Sequence, residues 1–143
     1  MLSQTAEYAL RAVVMIGEQP AGRPVGAATL ADALGIPQNY LSKTLHQLAR
    51  SGVLESTRGK LGGFQLARPA IRIRLLDIVT LFDDISGRRK CLMGRAVCSD
   101  HNPCAAHSRW QSVSEQAAEF FRTTTVADLL RVKKSGGARL RRD

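Results

Sequence analysis

Two helical stripes lie within a few residues of each other in the first third of the chain, and glycine and proline punctuate what surrounds them. Residues 28–34 place Leu30, Ala31 and Leu34 on one face, and Gly35 follows at the position where a helix end commonly turns left-handed. Residues 38–51 place Leu41, Leu45 and Leu48 on one stripe, while Tyr40, Lys43, His46, Gln47 and Arg50 fall on other faces. Only G-I-P-Q intervenes, so the two helices must cross as a helix-turn-helix. Gly52 breaks the second helix. Residues 53–57 read as a strand, R-G-K-L-G-G as a glycine-rich turn, and residues 64–66 as the returning strand. Helix, helix and hairpin in that order predict a winged helix.

The flanking segments complete a mainly α fold with a small β-hairpin. Residues 3–18 carry Ala6, Ala9, Leu10, Val13, Ile16 and Gly17 near a 3.6-residue period, and Ser3 or Thr5 can cap the start. Q-P-A-G-R-P ends that helix. A further helix is expected over residues 75–82, with Leu76, Val79 and Phe82 inward. A longer one is expected from near Cys104, carrying Ala106, Trp110, Val113, Ala117 and Phe120. That narrow seam is the pattern of helices pairing along their length. A monomer core could use it, but little sequence remains to cover it, so a long dimerisation helix is expected. Thr125 can cap a last helical turn bearing Val126, Leu129 and Leu130.

Charge narrows the partner. Against 12 acidic residues stand 21 basic ones, a formal net charge of +9, which favours polyanions: nucleic acid first, an anionic membrane surface second. No run of residues is long and apolar enough to span a membrane, and the first residues lack a secretory signal layout, so a cytoplasmic protein is expected. Much of the excess sits in the last 13 residues, where a solvated tail is the ordinary role. The excess over residues 37–70 coincides with the helix-turn-helix. The second helix of such a unit enters the major groove, where Gln38 and Asn39 suit adenine and Lys43 suits guanine or phosphate, with Tyr40 and Ser42 beside them. Arg58, Gly59 and Lys60 at the hairpin tip suit a narrow, electronegative minor groove. One such unit binds weakly, so a homodimer on a pseudo-palindromic site in double-stranded DNA is expected. Residues 1–72 would then form the DNA-binding unit, 73–132 the remainder, and 133–143 a basic, disordered tail.

The three cysteines of the chain, Cys91, Cys98 and Cys104, fall with His107 in one stretch of 17 residues, C-L-M-G-R-A-V-C-S-D-H-N-P-C-A-A-H. An odd count fits poorly with a disulfide framework, and thiolates with imidazole suit an iron–sulfur cluster or zinc. The spacings lack the short C-x-x-C pairs usual in structural zinc modules. His107 lies three residues after Cys104, which on a helix would put both side chains on one face, so it is the preferred fourth ligand. His101 is a further donor within the loop. An enzyme using Cys104 with His107 as a thiol catalyst is disfavoured, because neither an orienting third group nor a redox C-x-x-C motif is evident.

The segments T-A-E-Y-A-L-R-A, I-P-Q-N-Y-L-S-K-T-L-H-Q-L, S-T-R-G-K-L-G-G-F-Q-L and V-A-D-L-L, spread over about residues 1–130, resemble the Rrf-two (Rrf2) family of winged-helix transcription regulators and its iron–sulfur branch. The resemblance implies a homodimer with a long crossing helix at its interface and a cluster held by three cysteines, here Cys91, Cys98 and Cys104. His107 matches the histidine that completes a 2Fe–2S site in one branch, which favours 2Fe–2S over 4Fe–4S. Glu7 stands where a nitric-oxide-sensing branch places a carboxylate ligand given by the partner subunit. Asn39, Tyr40, Ser42 and Lys43 match the base-reading helix, and Arg58 the wing arginine. Six residues separate the first two cysteines where five is commoner in the family; a loop absorbs the extra one. The expected function is a regulator whose operator binding is switched by a cluster sensing iron, redox state or nitric oxide. The alternatives are a structural zinc site and cofactor-free thiol sensing.

Overall fold

The computed structural model describes residues 2–85 and 91–134. The tail expected from residue 133 therefore lies outside the described residues from 135 onward, and the chain before that is helical through Lys134.

Helix α1 spans Gln4–Gly17, and the Ser3 hydroxyl accepts from the Ala6 N–H at 3.2 Å. This is the expected cap, satisfying one of the amides that a helix start leaves unpaired. Ala6, Ala9, Ala12, Val13 and Ile16 are all buried, and the small alanines let other elements approach the α1 backbone closely. Helix α2, Ala27–Leu34, ends at Gly35 in the left-handed conformation (φ 67°), which reverses the chain over Ile36 and Pro37 into helix α3, Gln38–Arg50. Leu41, Leu45 and Leu48 are fully buried, each contributing about 1.5–3 kcal/mol by leaving water.

Strands β1, Leu54–Thr57, and β2, Gly63–Leu66, pair antiparallel from Leu54 opposite Leu66 to Thr57 opposite Gly63. A further rung on the outer side of β2 is one that the sequence pattern does not announce: Val25 and Phe64 exchange two backbone hydrogen bonds of 2.9 Å. That rung ties the hairpin to the α1–α2 connection. A winged helix-turn-helix results, as its element order predicts.

After a 3-10 turn at Ala70–Arg72 comes helix α4, Leu75–Val79. It is shorter than the expected 75–82, because the chain leaves the helix through turns in which the Phe82 and Asp83 amides both bond to the Val79 carbonyl. Helix α5, His107–Thr123, also begins later than expected, at residue 107 rather than near 104, since residues 104–107 form a turn closed by His107 N–H to Cys104 O at 3.0 Å. Helix α6, Val126–Lys134, is started by Thr125 and Asp128, each satisfying the other's backbone amide. It returns to the beginning of the chain. Val126 is fully buried in the α1 core, the Val126 amide donates to Ile73 O at 2.9 Å and the Leu75 amide to Thr124 O at 2.9 Å. Helix α5 buries only His107 and Phe121; Val113 and Phe120 are 48% and 52% exposed.

Candidate nucleic-acid interface and cysteine centre

The first turn of α3 presents Gln38, Asn39, Tyr40 and Lys43 to solvent, with Ser42 half-buried between them. The turn contains no acidic residue, so the positive end of the helix dipole is unopposed there. Tyr40 differs from its neighbours: its ring packs edge-on against Tyr8 at 5.9 Å, and its hydroxyl bonds to that of Thr5. This anchors the start of α3 to α1 and engages the hydroxyl from the protein side. Gln47 also faces inward, donating to Leu81 O at 3.1 Å.

Arg58, Gly59 and Lys60 are exposed on the hairpin tip, next to Leu61, which is 91% exposed. Gly62 and Gly63 answer to the protein's own backbone. A Cβ at Gly62 would lie 2.2 Å from Thr57 O, and one at Gly63 would lie 2.4 Å from the Val25 carbonyl. Glycine is thus required for the hairpin to close and to hold the Val25 rung. His46 packs edge-on against Phe64 at 5.4 Å, setting the hairpin against α3.

The cysteine segment runs as turns without regular structure until α5. Its donors meet as two pairs: Cys91 Sγ lies 4.0 Å from Cys104 Sγ, and Cys98 Sγ lies 3.2 Å from His107 Nδ1. Cys91 and His107 are buried, and Cys98 and Cys104 are half-buried. The Arg95 backbone amide holds the Cys91 thiol below its ordinary pKa, helped by the Met93 amide, the Cys104 thiol and the Arg95 charge; burial works against them. Among the described residues no three of the His, Cys, Asp and Glu side chains stand close enough to hold a metal ion as placed. Three thiols and an imidazole remain, by donor chemistry, a set suited to an iron–sulfur cluster or zinc.

His107 and Cys104 do not share a helical face, because α5 starts at His107; the two are joined through the backbone instead, His107 N–H to Cys104 O at 3.0 Å. The imidazole turns toward Cys98, and its Nε2 lies 2.7 Å from Asp100 Oδ1. Asp100 is the orienting third group that the sequence did not reveal, since an aspartate in an aperiodic loop carries no spacing signal. His101 is exposed, its amide bonded to the Ser99 hydroxyl at 3.1 Å, and Glu7 is exposed on the first turn of α1. At the base of α5 an apolar groove of about 470 Å³ is lined by Leu92, Met93, Ala105, Ala106, Trp110 and Val113, with Arg109 at its edge.

A family model described as "Rrf2: Iron-dependent Transcriptional regulator" matches residues 2–132. A protein of Aquifex aeolicus named an HTH-type transcriptional regulator is 34% identical over 136 residues, 94% of each chain. The HTH-type transcriptional regulator IscR of Yersinia pseudotuberculosis is 28% identical over 129 residues, covering 90% of this chain and 78% of that one. Among solved structures, CymR (YrzC), the global cysteine regulator of B. subtilis, superimposes with a TM-score of 0.77 at 20% identity, over 92% of this chain and 96% of that one. The similar proteins found by sequence are named as regulators, not enzymes. No helix among the described residues is long and apolar enough to cross a membrane.

Proposed function

Because this chain belongs to the Rrf2 family of transcription regulators, we propose that it acts as a homodimer on pseudo-palindromic double-stranded DNA and that an iron–sulfur cluster switches its binding. One observation carries the reading: the donors gather as two pairs at the start of α5, Cys91 with Cys104 at 4.0 Å and Cys98 with His107 at 3.2 Å, on the helix whose apolar side is left open. In this reading residues 1–72 contact DNA, and residues 73–132 hold the donor loop and the dimer helices.

The three thiolates and His107 would hold the cluster, 2Fe–2S in preference to 4Fe–4S because a histidine completes the set, while Glu7 is the alternative fourth ligand. When bound, the cluster supplies a redox-active centre whose potential rises with histidine ligation. The remaining work belongs to the chain. Gathering the Cys91–Cys104 and Cys98–His107 pairs onto one centre moves a loop that leads directly into α5. A displacement of α5 against its partner copy changes the spacing of the two α3 helices, so operator affinity differs between states by the coupling, typically about 1–3 kcal/mol. Gln38, Asn39, Ser42 and Lys43 face the major groove, and Tyr40 sets the helix end against α1. Arg58 and Lys60 reach the minor groove on a hairpin held rigid by Gly63 and Val25.

The visible absorption spectrum of protein purified without oxygen, with iron and acid-labile sulfide assayed on the same sample, tests this directly. Charge-transfer bands with matching iron and sulfide are expected, and His107→Ala should shift them. A colourless protein with stoichiometric zinc would make the centre structural. The 4.0 Å approach of Cys91 and Cys104 favours a second reading, cofactor-free thiol sensing. A protein that stays colourless and metal-free after reconstitution would leave that reading in place of the first.

A further inference from the structure

The contact between Asp100 and His107 joins two residues of unlike exposure. The His107 side chain is 8% exposed and that of Asp100 is 78% exposed, yet Nε2 and Oδ1 lie 2.7 Å apart. An ionised carboxylate only accepts hydrogen bonds, so the proton between them belongs to Nε2. A neutral imidazole that carries its proton on Nε2 has Nδ1 bare, and Nδ1 is the atom that faces Cys98 Sγ at 3.2 Å. Two hydrogen bonds tie the loop on either side of the aspartate: the His101 amide donates to the Ser99 hydroxyl at 3.1 Å, and Arg95 Nη1 donates to Asn102 O at 2.9 Å. A carboxylate that accepts from the far nitrogen of an imidazole fixes its tautomer and makes the near nitrogen a stronger donor.

We infer that Asp100 is the positioning residue of the cysteine centre, holding the His107 ring protonated at Nε2 so that Nδ1 is presented as the ligand atom beside Cys98. The inference rests on the proposed role of His107 as a ligand. It also holds a consequence for metal-free protein, because both partners of the hydrogen bond belong to this chain.

The test uses the full chain and two variants, Asp100→Asn and Asp100→Ala; the exposure of the residue makes both compatible with folding, and circular dichroism verifies this. In metal-free protein, the His107 Nε2–H proton should be visible by NMR and slow to exchange in the parent chain and in Asp100→Asn, whose carboxamide oxygen still accepts. It should be lost in Asp100→Ala. In anaerobically reconstituted protein of equal starting iron and sulfide content, decay of the visible band under a strong iron chelator should be about ten-fold or more faster for Asp100→Ala, with Asp100→Asn between. An Nε2–H signal unchanged in Asp100→Ala, or equal decay in all three proteins, overturns the inference. If the parent chain takes up no iron or sulfide, the cluster reading fails separately, and the metal-free NMR comparison still decides whether Asp100 sets the ring.

Discussion

Helices α1 to α3 with the hairpin, and the cysteine loop with α5, are built on opposite terms. The first region buries Ala6, Ala9, Val13, Leu30, Leu41, Leu45, Leu48, Val53 and Leu54 almost completely, and α4 and α6 close over it with Ile78 and Val126. The second buries Cys91, His107 and Phe121, and leaves Leu92, Met93, Val97, Val113 and Phe120 about half or more exposed. An apolar core supports the first from within. Whatever steadies the second in the working protein has to come from outside its own packing, which is the physical content of the proposed partner copy and cluster. Under the proposed function stability and responsiveness are divided: the well-packed region, as reader, would carry the base-contacting residues, and the exposed segment the chemistry that alters their binding.

The sharpest way to break this comparison is to cut into the reader's core. Leu45→Ala should cost about 2–5 kcal/mol in chemical denaturation, as cavities in packed interiors do. A loss below 1 kcal/mol would mean that the reader does not stand on its own core. Gly63→Ala comes next, at about 1–3 kcal/mol, because its Cβ meets the Val25 carbonyl and the hairpin must open or twist to admit it. Operator affinity should fall with it in a gel-shift titration. An unchanged hairpin and affinity would contradict the role given to the Val25 rung.

On the other side, Val113→Asp on the exposed face of α5 should leave the stability of the monomeric fold within about 0.5 kcal/mol, since it deletes no internal packing. Sedimentation should nevertheless move from two chains to one; a dimer that persists would place the interface elsewhere. The smallest effect concerns the seam where the regions join. The Thr125 amide and hydroxyl hold the Asp128 carboxyl below its ordinary value. Its folded pKa is lower than the unfolded one, so its contribution is complete above about pH 4 and is lost as pH falls through the lower folded value. Asp128→Asn should flatten that acid limb of the stability curve by lowering stability slightly at neutral pH and leaving the acid end nearly unchanged. An identical acid limb in the variant would show that the cap does not matter there.

Much of the reader was legible because its signals are local. The Leu41–Leu45–Leu48 stripe, Gly35 after α2 and the glycine-rich hairpin each state their geometry within a few residues. The Val25 rung escaped notice because a single bridge residue between two turns has no period. The late start of α5 escaped for a related reason: the seam begins near Cys104 in the sequence, whereas the first i to i+4 hydrogen bond is Trp110 N–H to Ala106 O at 2.8 Å.

The sequence by itself determined the order of elements, the exposed basic hairpin and the concentration of three thiols and an imidazole in one segment. Periodicity, turn chemistry and side-chain donor type are properties of neighbouring residues, and they survive without a third dimension. Only the tertiary structure decided that α6 returns to pack on α1, that Tyr40 is tied to Tyr8 and Thr5, and that His107 pairs with Cys98 and Asp100 rather than with Cys104. Those contacts join residues whose separation along the chain follows no repeat. They are set by how the loop and the helices settle against one another.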